Sequence, residues 1–303
     1  MAITINWDST SGKDTLKTLI RKTYNTTDRE PLVEHKDLYN VISTEDEFER
    51  DLRFAGLGRA TELTDGEEIP TQDPPDPSTK TYTQGYWGNG FRITAGMKMY
   101  NKIGLMKAMT KDLKRTMIES KDIDAMTLWN NLTSTSYLGF DELALASNSH
   151  TTLDDAATGY DNYLDAALGV TSYRSGKVYF RTLVDDQGMT FVAKPDTLVV
   201  NPELEQEADE LLGSTLKPWT GDNTTNVYKG DTKPLVCSRI TSATMWAMLA
   251  KNHALYDVNI LTSQAPNLIV KDAPDNSEDT VVLSSQRYTW GFGDPRCCFI
   301  GDL

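Results

Sequence analysis

The side chains with the most chemical reach in this chain are three histidines, His35, His150 and His253, and three cysteines, Cys237, Cys297 and Cys298. Nucleophilic catalysis through an imidazole would need one of those histidines beside a serine or cysteine and oriented by a third group. None lies in a strand-turn-helix elbow, and each reads as a solvated or capping residue. Structural zinc would want paired CxxC or HxxxH spacings, and neither occurs. The odd cysteine set gives no disulfide framework and suits a reducing compartment, with Cys297 and Cys298 read as small buried apolar residues. Asp154 and Asp155 are a conceivable acid–base pair, but adjacent side chains usually point apart. Gly88 and Gly90, in WGNG, lack both the GxGxxG and the GK[ST] patterns and read as turn glycines. The Asp-rich patches lack EF-hand spacing. These residues point away from an enzyme, a metal site and a cofactor.

What remains is a pattern of charge. Thirty Lys and Arg against 44 Asp and Glu leave a formal net charge of -14 over 303 residues. Such a surface does not suit a protein whose main task is gripping nucleic acid, although proximity without tight binding is allowed. One stretch is locally basic: Lys98, Lys102, Lys107, Lys111, Lys114, Arg115 and Lys121 outnumber Asp112, Glu119, Asp122 and Asp124. It reads as a solvated helix face. Alternatively Lys107, Lys111, Lys114 and Arg115 form a face for an enclosed polyanion, or for an acidic neighbour such as residues 62–76.

The element that must position those charges spans 79–133. An aromatic, strand-like lead-in, KTYTQGYWGNGFRIT, passes without proline into AGMKMYNKIGLMKAMTKDLKRTMIESKDIDAMTLWNNLT. Met106, Met109, Leu113 and Met117 recur at spacings of three and four, and Ala125, Leu128 and Leu132 continue the period beside Met126 and Trp129. One long helix with a buried stripe is predicted, a rod of roughly 45 Å at about 1.5 Å per residue. An ordinary core helix of an enzyme would show the same period.

Ahead of the rod, DTLKTLIRKTY predicts a short helix in an N-terminal arm. HKDLYNVISTEDEFERDLRF predicts an amphipathic helix capped by Ser43 or Thr44 with Glu47. Residues 55–80 are acidic and broken by Gly56, Gly58, Gly66, Pro70, Pro74, Pro75 and Pro77, so they build no core. They read as a linker, or as a protruding two-stranded loop in which ATELTDGEEIP and TKTYTQGYW flank the prolines. A lone hairpin is marginal in water, so such a loop would lie on a neighbouring subunit. Beyond the rod come a helix over 161–185 interrupted near Gly176, two strands in MTFVAKPDTLVV broken at Pro195, and the helix PELEQEADELLGS, opened by Asn201 and Pro202 and followed by Gly213. A compact helix near Trp246 and short strands complete an α+β pattern. No run of about 20 apolar residues occurs. The start, MAITINWDSTSGKD, lacks a secretory signal, so the sequons at Asn25, Asn131 and Asn223 read as chance matches.

In their order and spacing, FAGLGRATELTDGEEIP, TYTQGYWGNGFRITAGM, ALASNSH, DTLVVNPELEQEADELLGS, NVYKGD, MWAMLA and RYTWGFGDPR resemble the major capsid proteins of tailed bacteriophages, with the Hong Kong 97 type fold, and within them the Mu-type major head subunit group. The resemblance spans about 51–302. It implies an N-terminal arm (1–54), an extended β-hairpin loop (55–96, reaching over an adjacent subunit through 62–92), a peripheral domain with the spine helix (97–200), an axial domain (201–261) and a return to the peripheral domain with C-terminal strands (262–303). The implied inter-subunit loop contacts are Glu62, Glu67, Glu68, Tyr82, Tyr86, Trp87, Phe91 and Arg92. It also implies hexamers and pentamers of an icosahedral head around double-stranded DNA, with no catalysis. Portal, scaffolding and decoration proteins would be partners, contact with packaged DNA would be weak and non-specific, and no membrane is involved. The protein would be made in the host cytoplasm and reside in the virion. Some relatives crosslink a lysine to an asparagine, and no motif here transfers that. About 50 residues ahead of the loop are too few for a cleaved scaffold segment, which implies a separate scaffolding protein. Two rivals are kept: an encapsulin-like nanocompartment shell, and a hydrolase whose acidic loop is a lid.

Overall fold

The computed structural model describes residues 10–26, 31–71, 76–152, 159–218, 224–274 and 278–303. The Asp154 and Asp155 pair, the first nine residues, Asp73, Pro74, Pro75 and the sequon asparagine Asn223 lie outside them.

The organising element is α4 (Ile103–Asn130), 28 residues long and preceded by the short α3 (Ala95–Met99). The single rod expected over 97–132 is therefore broken. Thr94 caps α3 by accepting the Met97 N–H, and Asn101 then adopts a φ of 51°, a left-handed turn that asparagine tolerates. Beyond that turn no proline interrupts the pattern, and at about 1.5 Å per residue α4 is roughly 42 Å long. Met106, Leu113, Met117, Ala125, Met126, Leu128 and Trp129 are buried along it, with Thr110 inside the stripe and Met109 at its margin.

Two sheets pack along this rod. β1 (Asn40–Ser43), β9 (Val258–Asp272), β10 (Thr280–Phe292) and β4 (Gly85–Ile93) form a four-stranded sheet in the order β1-β9-β10-β4. Against it lie α1 (Thr10–Asn25) and the first half of α4, sealed by Leu16, Ile20, Tyr24, Met106, Leu113, Ile93 and Val282. The second half of α4 enters a larger core under a five-stranded sheet. That sheet runs β5 (Tyr163–Asp165), β11 (Cys298–Asp302), β8 (Trp246–Leu249), β6 (Thr197–Val200), β7 (Lys233–Val236), with α5 (Val170–Thr182) and α6 (Glu205–Gly213) on it. Its strands are drawn from 163–165 and 298–302 as well as from 197–249, wider than the 201–261 span expected for one lobe. A two-stranded ribbon, β2 (Phe48–Arg53) with β3 (Ser78–Thr83), is hydrogen-bonded into neither sheet, and β3 packs on β10.

Several local expectations are corrected. The capped helix over 35–54 is only α2 (His35–Leu38), after which the chain turns to strand. Thr44 donates to Glu49 and accepts from the Asp46 N–H, so its hydroxyl closes a turn between β1 and β2 instead of capping a helix. The helix near Trp246 is β8, whose four residues are all buried in mid-sheet. Helix 161–185 begins with a strand and runs unbroken through Gly176, where a Cβ would meet Met248 Sδ at 2.5 Å. MTFVAKPDTLVV yields one strand, β6. Gly88 and Gly90 lie inside β4, not in a turn, and the strands after 258 are long ones of 15 and 13 residues. The helix opened by Asn201 stands as expected: its side chain accepts the Glu203 N–H.

Candidate interaction surface

The β2–β3 ribbon and the loop it carries form an exposed apolar feature. Its pairing runs from Phe48↔Thr83 to Arg53↔Ser78, so the ribbon's first strand is 48–53, not ATELTDGEEIP. Residues 60–71 carry no strand and are exposed throughout. Phe48, Leu52, Phe54, Leu57, Leu63 and Ile69 all face solvent from the ribbon and the loop it carries. Six large exposed apolar side chains on one short stretch make this the candidate contact surface.

The ribbon's root, by contrast, is rigidly held. Arg53 is buried where β2 ends, and its guanidinium donates to both Asp186 carboxylate oxygens, through Nε at 3.1 Å and through its second terminal nitrogen. Arg296 clasps Asp294 with Nε at 2.8 and 3.0 Å and reaches Asp186 at 3.4 Å. Two arginines and two aspartates thus neutralise one another out of water, and burial is repaid by charge-assisted bonds. Burial alone would raise the Asp294 carboxyl, but Arg296 and then Arg53 outweigh it and hold it below its ordinary range. The Ser78 hydroxyl donates to the Phe140 carbonyl at 2.9 Å, and Lys80 donates to the Leu138 carbonyl.

Beside this root a cleft of 440 Å³ is lined by Asp51, Arg53, Phe54, Tyr256, Asp257 and Asp294, among others. Burial, then the nearby Asp51 carboxylate, pushes Asp257 up to about 6, against bonds from the Asp294 N–H and Asn259. Its carboxylate fills the space above Gly293, where any Cβ would lie 1.9 Å from Oδ2.

The residues singled out from sequence separate into two groups. Glu62, Glu67 and Glu68 are on the exposed loop, where Glu67 only accepts the local Thr64 N–H. Tyr86 and Trp87 are partly exposed on β4: Arg287 stacks over Tyr86 at 4.8 Å, and Trp87 stacks on Tyr288 at 5.5 Å. Tyr82, opposite Glu49 at the other end of the ribbon from Arg53, is buried against Gly291, and Phe91 packs into the smaller core. Arg92 pairs with Asp279 at 3.5 Å. β4 is thus bound along nine residues to β10 of its own chain, so the stretch 85–92 does not belong to the protruding loop.

The basic face of α4 is also largely spent within the chain. Arg115 pairs with Asp112 and Glu119, Lys114 covers the Tyr24 ring, and Lys98, on α3 before it, is buried with its ammonium on the Glu278 carbonyl. Lys121 is enclosed, donating to the Thr262 hydroxyl and lying over Tyr288, and burial followed by Lys36 lowers it to about 8. Lys107 and Lys111 are exposed on the outer side.

Two of the histidines, His35 and His150, are buried instead of solvated, while His253 is partly exposed. His35 is buried against Asp122, which also accepts the Glu34 and His35 N–H groups and Arg239 Nε at 2.6 Å. Burial would raise the Asp122 carboxyl, yet the bonds from His35 and Arg239 prevail and lower it. Glu34 in turn accepts the Ser238 and Arg239 N–H groups, so one network joins the N-terminal segment, the middle of α4 and the 238–239 loop. His150 is clasped between Asp141 at 2.6 Å and Asn162 at 3.1 Å and stacks on Tyr160. His253 Nδ1 lies 3.7 Å from Cys297 Sγ, but burial, then Asp294, pushes that thiol up to about 12, and it is not a thiolate nucleophile. The three cysteines are free and buried. Among the described residues no group of three His, Cys, Asp or Glu is placed to hold a metal, and no helix is long and apolar enough to cross a membrane.

Sequence reasoning missed Arg53, Asp186, Arg296, Asp122 and Asp257. Only Asp294, Pro295 and Arg296 carried a local signal, an acid two residues before a base across a proline, where the Asp294 side chain caps the turn. Arg53 meets Asp186, and Asp122 meets Arg239, across more than a hundred residues.

A family model described as phage capsid protein matches residues 77–300. No curated protein matches the chain. Among solved structures, the chain is similar to the capsid of the cyanophage P-SCSP1u, with 8% identity, a TM-score of 0.61 and coverage of 90% of this chain and 89% of that one. It is likewise similar to the procapsid of bacteriophage JBD30, at 10% identity, TM-score 0.56 and coverage of 97% and 76%. A third likeness is to Mycobacterium phage Adephagia, at 11% identity, TM-score 0.54 and coverage of 88% and 85%.

Proposed function

This chain belongs to the phage capsid protein family and has the Hong Kong 97 type fold, and on that premise we propose that it is a major head subunit that self-assembles as hexamers and pentamers into an icosahedral shell around double-stranded DNA. It is a structural protein of the virion. The observation that carries the assembly reading is the ribbon and loop over 48–83: an arm held by a buried ion network where β2 ends, while residues 60–71 are exposed throughout, Leu63 and Ile69 among them. Such an arm is stable only when laid on another copy, as a shell requires of many repeated contacts.

Within the family, the order of sequence pieces favours the Mu-type group. We assign the four-stranded sheet, α1 and the first half of α4 to a peripheral region and the five-stranded sheet to an axial one. Portal, scaffolding and decoration proteins are proposed partners, and synthesis is in the host cytoplasm. The net charge of -14 keeps contact with packaged DNA weak, through residues such as Lys107. No catalysis is assigned: His35 and His150 are held in structural bonds, and His253 lies beside a Cys297 thiol that burial keeps protonated. An encapsulin-like compartment is disfavoured because the family match is to phage capsid proteins.

The test is negative-stain microscopy of the expressed protein. Shells, rings or tubes are expected. A well-behaved monomer under every assembly condition would overturn the reading.

A further inference from the structure

Two adjoining depressions, of 620 Å³ and 390 Å³, open beside α5 and share Val192, Lys194, Pro195 and Asp231. Their two acids are already committed. Asp231 pairs with Lys177 at 2.6 Å and accepts from the Tyr173 hydroxyl, and Asp196 accepts from the Thr197 hydroxyl and the Asn252 N–H. Three cations are not: Arg181, Lys194 and Lys233 are exposed and form no ion pair among the described residues. In a chain of net charge -14 this is a locally positive place. It is also apolar at its lip, where Val192 is 70% exposed, and Val178, next to the lining residue Lys177 on α5, is 51% exposed.

The loop over 60–71 has the opposite character. It carries Glu62, Asp65, Glu67 and Glu68 without a single Lys or Arg, and Leu63 and Ile69 stand among the acids. None of its residues lines either depression of its own chain. We propose that the basic, apolar-lipped depression beside α5 receives the acidic 60–71 loop of a second copy, Glu62, Glu67 and Glu68 meeting Arg181, Lys194 and Lys233 while Leu63 and Ile69 cover Val178 and Val192. Complementarity in both charge and apolar surface selects this occupant. The phosphates of DNA would satisfy the cations but leave the two valines wet. The proposal rests on the shell reading above and names the surface on which the arm lands.

The experiment compares the wild-type chain, the Arg181→Glu/Lys194→Glu variant, and that variant carrying Glu67→Lys and Glu68→Lys as well. Particle yield is read by sedimentation and microscopy, and subunit folding by circular dichroism. All four sites are exposed, so folding is expected to be unchanged. Like charges set against each other should cut particle yield by about tenfold or more, and the second reversal should restore it. Wild-type chains that form no particles would sink the shell reading itself. Wild-type assembly with equal assembly of the reversed variant would overturn the docking proposal alone. A block without rescue would overturn the loop as occupant. Normal particles from the reversed variant that hold less nucleic acid would reassign the depression to a polyanion and also overturn it.

Discussion

Asp257 offers the sharpest quantitative test of how the arm's root is held. It is pushed from 3.8 to about 6 by burial and by Asp51, with Asp294 and Lys80 also close. An acid whose pKa rises on folding keeps its proton longer in the native state than in the unfolded one. Stability therefore falls as pH climbs from about 4 to about 6, and levels off above that window. Two units at 1.36 kcal/mol each make the ionised form cost about 3 kcal/mol at neutral pH. Asp257→Asn removes that charge while retaining one carbonyl acceptor for the Asp294 N–H or Asn259, so about 1 kcal/mol is returned through the bond that is lost. At pH 7.5 the variant is expected to be more stable by about 1–2 kcal/mol, and its stability should not decline between pH 4 and 6. Urea unfolding of the unassembled subunit across pH 4 to 8, with the slope against denaturant unchanged, measures both. Parallel curves for the two proteins, or a variant less stable at pH 7.5, would refute the reasoning.

Asp122→Ala strips one buried acceptor from four donors and leaves Arg239 facing an empty site, so a loss of about 3–5 kcal/mol is expected in thermal or urea unfolding at pH 7. Because the folded Asp122 carboxyl is lowered, its contribution is present above the ordinary carboxylate range and fades as pH falls below it; the gap between wild type and variant should narrow in acid. Gly301→Ala places a Cβ 2.2 Å from the buried Trp246 ring and is expected to cost about 1–3 kcal/mol or more, whereas Gly213→Ala, which meets nothing within 4 Å, should be neutral or mildly stabilising in the same melt.

The parts of the fold readable in advance were those with a repeating face or a local terminus signal. The second half of the rod shows this, since Ala125, Leu128 and Trp129 recur at helical spacing, and so does the Asn201 cap before α6. The strand at Trp246 was misread because a fully buried run of four residues has no polar face to set a period. Residues 40–53 were misread for a related reason: Val41, Ile42, Phe48 and Leu52 look like one helical stripe, but they face solvent on strands. The exposed loop was recognisable from its acids and prolines. Its lower boundary was not, because Tyr82 and Phe91 are aromatic like the exposed Tyr86 and Trp87, and only the pairing of β4 with β10 decides which are inside. The ion network at the root joins Arg53 to Asp186 across 133 positions, a distance over which spacing carries no information.

In the four-stranded sheet, Asn40 to Ser43 align with Asn259 to Thr262, and Gly85 to Ile93 with Thr280 to Tyr288. On a ribosome, those early segments emerge long before the strands that complete them exist, and they must wait as bare edges in a crowded cell. Slow refolding and a need for chaperone shelter are the natural result. A head built from many such chains would then fill at the pace of sheet closure as much as at the pace of docking.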